Sequence, residues 1–175
     1  IELLGFTIVD ENDECADVEI GAGENWDSVV ARACAMGLSG VEAMSAIPGT
    51  TGATPVQNVG AYGQEIKDTL LSVRAFDTHD FSFKTLSNRE CKFAYRNSIF
   101  KNEEKGKYVI TSIILRLSKK APLIPNYKGV KEFFVEKGIT DPTLTQIRDA
   151  IITIRKMKLP DPKEIPNVGS FFENP

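Results

Sequence analysis

The sequence predicts an α+β fold, and three observations carry that reading. Short runs of apolar and β-branched residues recur at 6–9, 16–20, 70–76, 81–85 and 108–117, separated by turn-forming clusters. Helical periodicity follows Asn25 and returns after Lys120. Between the first helix and the strand at 70, a stretch rich in glycine and proline fits neither period.

Each element has its own signal. Phe6 to Val9 and Ala16 to Ile20 read as two strands around the turn Asp10-Glu11-Asn12-Asp13. Asn25 caps a helix whose apolar face is Trp26, Val29, Val30, Ala33 and Cys34, and Gly37 ends it. Leu70 to Phe76 and Phe81 to Thr85 form a hairpin about Asp77 to Asp80. A charged turn, Asn102 to Lys107, precedes a buried strand at Tyr108 to Leu117. Gly129 to Lys137 is a further helix. Another runs from Thr143 to Met157, capped by Asp141 or Thr143, with the stripe Leu144, Ile147, Ala150, Ile151 and Ile154. Leu159-Pro160-Asp161-Pro162 ends it. Residues 161–175 have no core of their own and read as the opening of a further domain.

Composition narrows the class. An apolar share of 42% and a charged share of 26% suit a globular domain with a core. A net charge of −3 with no basic stripe disfavours nucleic acid. No apolar run approaches a bilayer span, and no signal peptide is recognised. Cys15, Cys34 and Cys91 are odd in number and scattered, which suits free thiols in a reducing cytosol. The one histidine, His79, sits between acidic residues in a turn and reads as an exposed turn residue, not a metal ligand.

Three segments offer chemistry. Ile47 to Gly63 reads IPGTTGATPVQNVGAYG. Its glycines allow close backbone approach, and successive N–H groups could hold a pyrophosphate without lysine. Gln57 and Asn58 add amides able to read a ring edge or sugar. It is neither GxGxxG nor a P-loop, and a glycine-rich surface loop is the plainer reading. Cys91 to Lys101, CKFAYRNSIFK, sets Arg96 among aromatics as a carboxylate clamp; a surface ion pair is the alternative. Gly169 to Pro175, GSFFENP, places Ser170 before two aromatics as proton donor, nucleophile or cap. With no histidine nearby, a Ser-His-Asp triad is excluded.

Taken in this order, the three segments resemble the UDP-N-acetylenolpyruvoylglucosamine reductase family. Residues 47–63 are similar to its flavin segment and 93–101 to its substrate motif. Lys158 to Pro162 and Gly169 to Pro175 are similar to the opening of its substrate domain. The resemblance implies an FAD-binding domain of the vanillyl-alcohol-oxidase (PCMH) type at 1–120, a helical extension at 121–157, and the start of a substrate-binding domain at 158–175. It also implies a flavin subdomain upstream of Ile1 and a catalytic glutamate beyond residue 175.

The implied activity is reduction of an enolpyruvyl UDP-sugar to UDP-N-acetylmuramate, with FAD and NADPH as cofactors, by a cytoplasmic monomer. The implied flavin contacts are Ile47, Pro48, Gly49, Thr50, Thr51, Gly52, Ala53, Gln57, Asn58, Gly60, Ala61 and Ile110. Ser170 aligns with the proton donor and Arg96 with the arginine that holds the substrate carboxylate. Tyr62, Tyr95, Tyr127, Lys158 and Asn174 align with substrate contacts, Tyr127 through a mobile loop of one subclass. Asn97 stands where aspartate is common and Glu173 where lysine is common. The readings left beside it are another flavin oxidase of the same fold and a stand-alone nucleotide-binding module.

Overall fold

The computed structural model describes residues 2–159 and 165. In chain order the strands are β1 (Phe6–Glu11), β2 (Cys15–Gly21), β3 (Gly60–Ala61), β4 (Gln64–Glu65), β5 (Leu70–Asp77), β6 (Ser82–Ser87) and β7 (Tyr108–Ser118). The helices are α1 (Trp26–Ala35), α2 (Lys128–Glu136) and α3 (Leu144–Lys158). Five strands make one antiparallel sheet in the order β1-β2-β7-β5-β6, and β3 and β4 form a separate ribbon. The α+β expectation therefore holds.

Alternation decides which face of the sheet is covered. On β2, Ala16, Val18 and Ile20 are fully buried and pair with Leu117, Leu115 and Ile113 of β7. Against this face lies the stripe of α1, from Trp26 to Cys34. The opposite face is polar: Arg116 clamps Asp17 through two bonds of 2.7 Å, and Ser112 donates to Glu19. A one-residue slip would expose Val18 and Ile20, each worth about 1.5–3 kcal/mol when buried, and would bury their charged neighbours.

The helix ends form as the caps dictate. Asn25 Oδ1 accepts from the Ser28 backbone N–H, and Gly37 takes φ +74° while Leu38 N–H returns to Ala33 O. For α3 it is Thr143, not Asp141, that caps, in a reciprocal box with Gln146. The stripe of α3 meets Val130 and Phe134 of α2 in a second apolar cluster, and Leu144 reaches into the first.

The β3–β4 ribbon lay outside the reading of the sequence. It turns through Tyr62 and Gly63 at φ +50° and +88°. Such a turn is recognised by Asn-Gly, and a tyrosine in that place conceals it.

A half-buried ion pair joins α3 to α1. Arg148 donates twice to Asp27, at 2.6 and 2.9 Å, and Asp27 also accepts from Ala46 N–H at 2.6 Å. The Arg148 bond, opposed in part by burial, holds the Asp27 carboxyl below its usual range. Since the folded value is depressed, its stabilisation is fully present above the usual carboxylate range and is lost as pH falls below that range through the lowered folded value. Arg148→Met is expected to lower stability by about 2 kcal/mol at neutral pH, a modest figure for a charged pair because Asp27 is partly exposed. The variant should also show a flatter fall in stability below about pH 4 than the parent. Urea melts across that range test both; parallel acid slopes would refute the assignment.

Candidate functional site

The glycine-rich segment is stitched to the end of β2. Trp26 N–H donates to Gly49 O, Thr51 N–H to Glu24 O and Gly52 N–H to Ala22 O, all at 2.9–3.0 Å. A Cβ on Gly52 would stand 2.7 Å from that of Ala22, so the glycine is needed for the close approach of the residue that follows β2, whatever else it meets. Gly49 differs: it adopts φ +119°, and a Cβ there would meet open space.

The expected run of open N–H groups is also shorter than anticipated. Thr51, Gly52, Ala53, Thr54, Val56, Asn58 and Val59 all donate within the chain. The N–H groups of Gly49 and Thr50, at the head of the segment, have no such acceptor among the described residues. Thr51 is fully buried, and its hydroxyl donates to Glu24 O, so its side chain serves the fold. Asn58 needs the same correction. Its side chain is fully buried and bonded to Glu65, Ala94 and Lys67. It cannot read a ring edge while those bonds stand. Gln57 is exposed.

Between this segment and the start of β7 lies an open groove of about 360 Å³, lined by Ala22, Thr50, Gly52, Ala53, Val56, Phe100, Tyr108, Val109 and Ile110. That is near the lower end of the roughly 300–1,000 Å³ of small-molecule sites, room for a planar ring system. A slightly larger groove, about 380 Å³, opens on the polar face of the sheet among Leu3, Glu19, Arg74 and Phe83, and includes none of the motif residues. Ile110 reaches the first groove because of a bulge. The β5–β7 register shifts between Arg74 and Ala75, so Ile110, not Thr111, faces inward with Ile113 and Leu115.

The second motif closes one end of the groove. Ser98 Oγ donates to Val56 O at 2.6 Å, and Phe100 forms part of the wall. Arg96 stands at φ +49° on a turn in which Ala94 and Asn97 exchange backbone bonds, and Lys101 Nζ donates to its carbonyl. Its guanidinium donates to Gly60 O at 2.7 Å and Asn58 O at 3.4 Å, and lies 5.2 Å from the centre of the Tyr95 ring. Two of its five N–H groups are thus used within the chain. Asn97 Oδ1 accepts from Ser98 N–H and Asn102 Nδ2, a role an aspartate would also fill. Burial pushes the Cys91 thiol up to about 12, so the cysteine heading this motif is a packing residue. Cys34, likewise buried, is pushed up to about 11.

Three further candidates meet at the other end of the ribbon. Tyr62 and Tyr127 pack edge to face with centroids 5.1 Å apart, and Lys158 Nζ lies 5.4 Å over the Tyr127 ring. Ala61 and Gly60 connect this group to Arg96. Asn58, Tyr62 and Arg96 hold left-handed backbone, as do Ala46, Lys92 and, on the β5–β6 turn, Phe81. Ser170 and Asn174 lie outside the described residues, as does Glu173. Reading the sequence marks a hydroxyl and aromatics beside Arg96 but gives no role to Ser98, Phe100 or Lys101, which build the site. His79 is an exposed turn residue whose N–H donates to Asp77.

Comparison with known proteins bears on this arrangement. Residues 2–80 match a family described as FAD binding domain. UDP-N-acetylenolpyruvoylglucosamine reductases align with the whole chain: that of Flavobacterium johnsoniae at 47% identity, covering 52% of the relative, and that of Chromobacterium violaceum at 43%, also covering 52%. The crystal structure of UDP-N-acetylenolpyruvylglucosamine reductase from Thermus caldophilus superposes with a TM-score of 0.64 at 25% identity, over 90% of this chain and 48% of that one. Over its whole length, then, the chain is similar to UDP-N-acetylenolpyruvoylglucosamine reductases, at 43–47% identity. It spans about half the length of the curated relatives it matches. The fold is the α+β FAD-binding type. Among the described residues, no helix is long and apolar enough to cross a membrane.

Proposed function

We propose that this chain forms the flavin-holding and substrate-clamping part of an NADPH- and FAD-dependent reductase that converts an enolpyruvyl UDP-sugar to UDP-N-acetylmuramate. The observation that carries this is the meeting of the Arg96 motif with the flavin segment: the guanidinium is fixed on the Gly60 carbonyl, and Phe100 of the one segment and Val56 of the other line the same groove. The groove fits FAD in kind, with an apolar floor, aromatic Phe100 and Tyr108 for a ring system, and the Gly49 and Thr50 N–H groups for phosphate. Bound FAD supplies hydride transfer, renewed from NADPH.

The chain's own residues do the remaining work. Arg96 offers its unused N–H groups to the substrate carboxylate and to the negative charge that grows beside it during reduction. Tyr95 flanks that guanidinium. Tyr62 and Tyr127 make an aromatic wall for the nucleotide, and Lys158 brings a positive charge for its diphosphate. By resemblance, Ser170 delivers the proton and Asn174 contacts the substrate. The location proposed is the cytoplasm, the state a monomer, and the segment from Lys158 onward the start of a substrate domain.

The test is direct. The full-length protein, purified from its host, should be yellow, release stoichiometric FAD on denaturation, and oxidise NADPH only when the enolpyruvyl UDP-sugar is present. A yellow protein with no such turnover would favour a flavin-binding module instead. A colourless protein that takes up no added FAD would end both readings.

A further inference from the structure

We infer that Asn58 is a positioning residue for Arg96: its carboxamide fixes the turn on which Arg96 stands, and its carbonyl steadies the guanidinium. This rests on the proposed role of Arg96 as carboxylate clamp. Nδ2 of Asn58 donates to Ala94 O at 3.0 Å and to Glu65 Oε2 at 3.1 Å, while Oδ1 accepts from Lys67 N–H at 3.1 Å. The reverse orientation of the amide would set an oxygen against two acceptors and an NH₂ against a donor, so the network admits one arrangement.

Ala94 is the turn residue that exchanges both backbone bonds with Asn97, and Arg96 is enclosed between them. Asn58 thus grips the turn at Ala94 and the arginine at its tip, where Nη1 reaches the Asn58 carbonyl. The side chain is fully buried, so these bonds are formed without competition from water. Asn58 holds left-handed backbone, φ +46°, with its carbonyl on Arg96 and its carboxamide on Ala94 of the same turn. Asparagine tolerates that conformation, and unlike aspartate it supplies two donors. Through Glu65 and Lys67 the grip extends to β4 and the turn after it, so the arginine is referenced to the ribbon that also carries Tyr62.

A double-mutant cycle on the full-length holoenzyme tests this, with the two half-reactions followed by stopped flow. Asn58→Gly keeps the left-handed backbone and deletes the amide. It should retain stoichiometric FAD and lower flavin reoxidation by substrate about 10- to 100-fold, as expected when a clamp is misplaced by about an ångström. In an Arg96→Ala background the same change should cost less than about 2-fold, because there is no clamp left to position. Multiplicative losses would overturn the inference. So would loss of FAD from Asn58→Gly alone, which would make Asn58 a cofactor residue. Should Asn58→Gly not fold, Asn58→Asp enters the same cycle, since it keeps the shape and the Lys67 bond but loses both donors. Failure of both to fold would refute a positioning role in favour of a purely structural one. Failure of the clamp reading itself is visible separately, as normal reoxidation in Arg96→Ala alone.

Discussion

In the full-length reductase proposed above, Arg96→Lys is expected to slow reoxidation of the reduced flavin by the enolpyruvyl substrate by about 100-fold, while reduction of the flavin by NADPH changes by less than about 2-fold. The asymmetry follows from where charge appears. The guanidinium is anchored by two carbonyls and keeps further N–H groups in a fixed plane, so it can bind a carboxylate and remain anchored. A lysine ammonium is a point charge without that fork, and it cannot hold the Gly60 carbonyl and present a planar pair of donors together. Hydride transfer from NADPH to the flavin develops no carboxylate-adjacent charge at this position, so that half-reaction is the internal control. Stopped-flow absorbance at the flavin band measures both steps. Equal losses in the two would assign Arg96 to folding, through its hold on the flavin segment.

Ala53→Trp is expected to weaken FAD binding by at least about 100-fold and to leave thermal stability within about 0.5 kcal/mol of the parent. Ala53 ends the short turn Thr51–Ala53, is exposed, and lines the groove. Its N–H donates to Thr50 O, a bond that any residue other than proline preserves. An indole there would lie across the space framed by Val56, Phe100 and Ile110 without entering the core. Gly52→Val is the contrasting control. Its Cβ would strike Ala22, so flavin loss in that variant would follow from disruption of the β2 junction, with a matching loss of stability. Fluorescence titration of apoprotein with FAD, beside thermal melts, separates the two. Parental FAD affinity in Ala53→Trp would remove this groove as the flavin site.

Local chemistry made much of this protein legible from its residues in order. The apolar alternation of β2 and β7 chose the covered face, Asn25 and Gly37 bounded α1, and the stripe from Leu144 to Ile154 set the buried side of α3. These signals act over two to four residues, the range of the strand and helix periods. The motif residues were equally visible as types: an arginine among aromatics, a run of small residues, a lysine at a helix end.

What tertiary structure alone decided is which of those residues face a ligand and which face each other. Thr51 and Asn58 look like ligand-binding residues in sequence, but their side chains are spent on Glu24 and Ala94, while Gly52 lines the groove and also makes room for Ala22. Ile110 enters the groove only because a bulge against β5 reverses the alternation of β7. Arg96 meets Gly60 across 36 residues, and Ser98 meets Val56 across 42. Bonds of that span depend on how β5, β6 and the following turns return the chain to the flavin segment. A buried amide or hydroxyl must then find its partner wherever the fold presents one, and that satisfaction has no periodicity in the sequence to announce it.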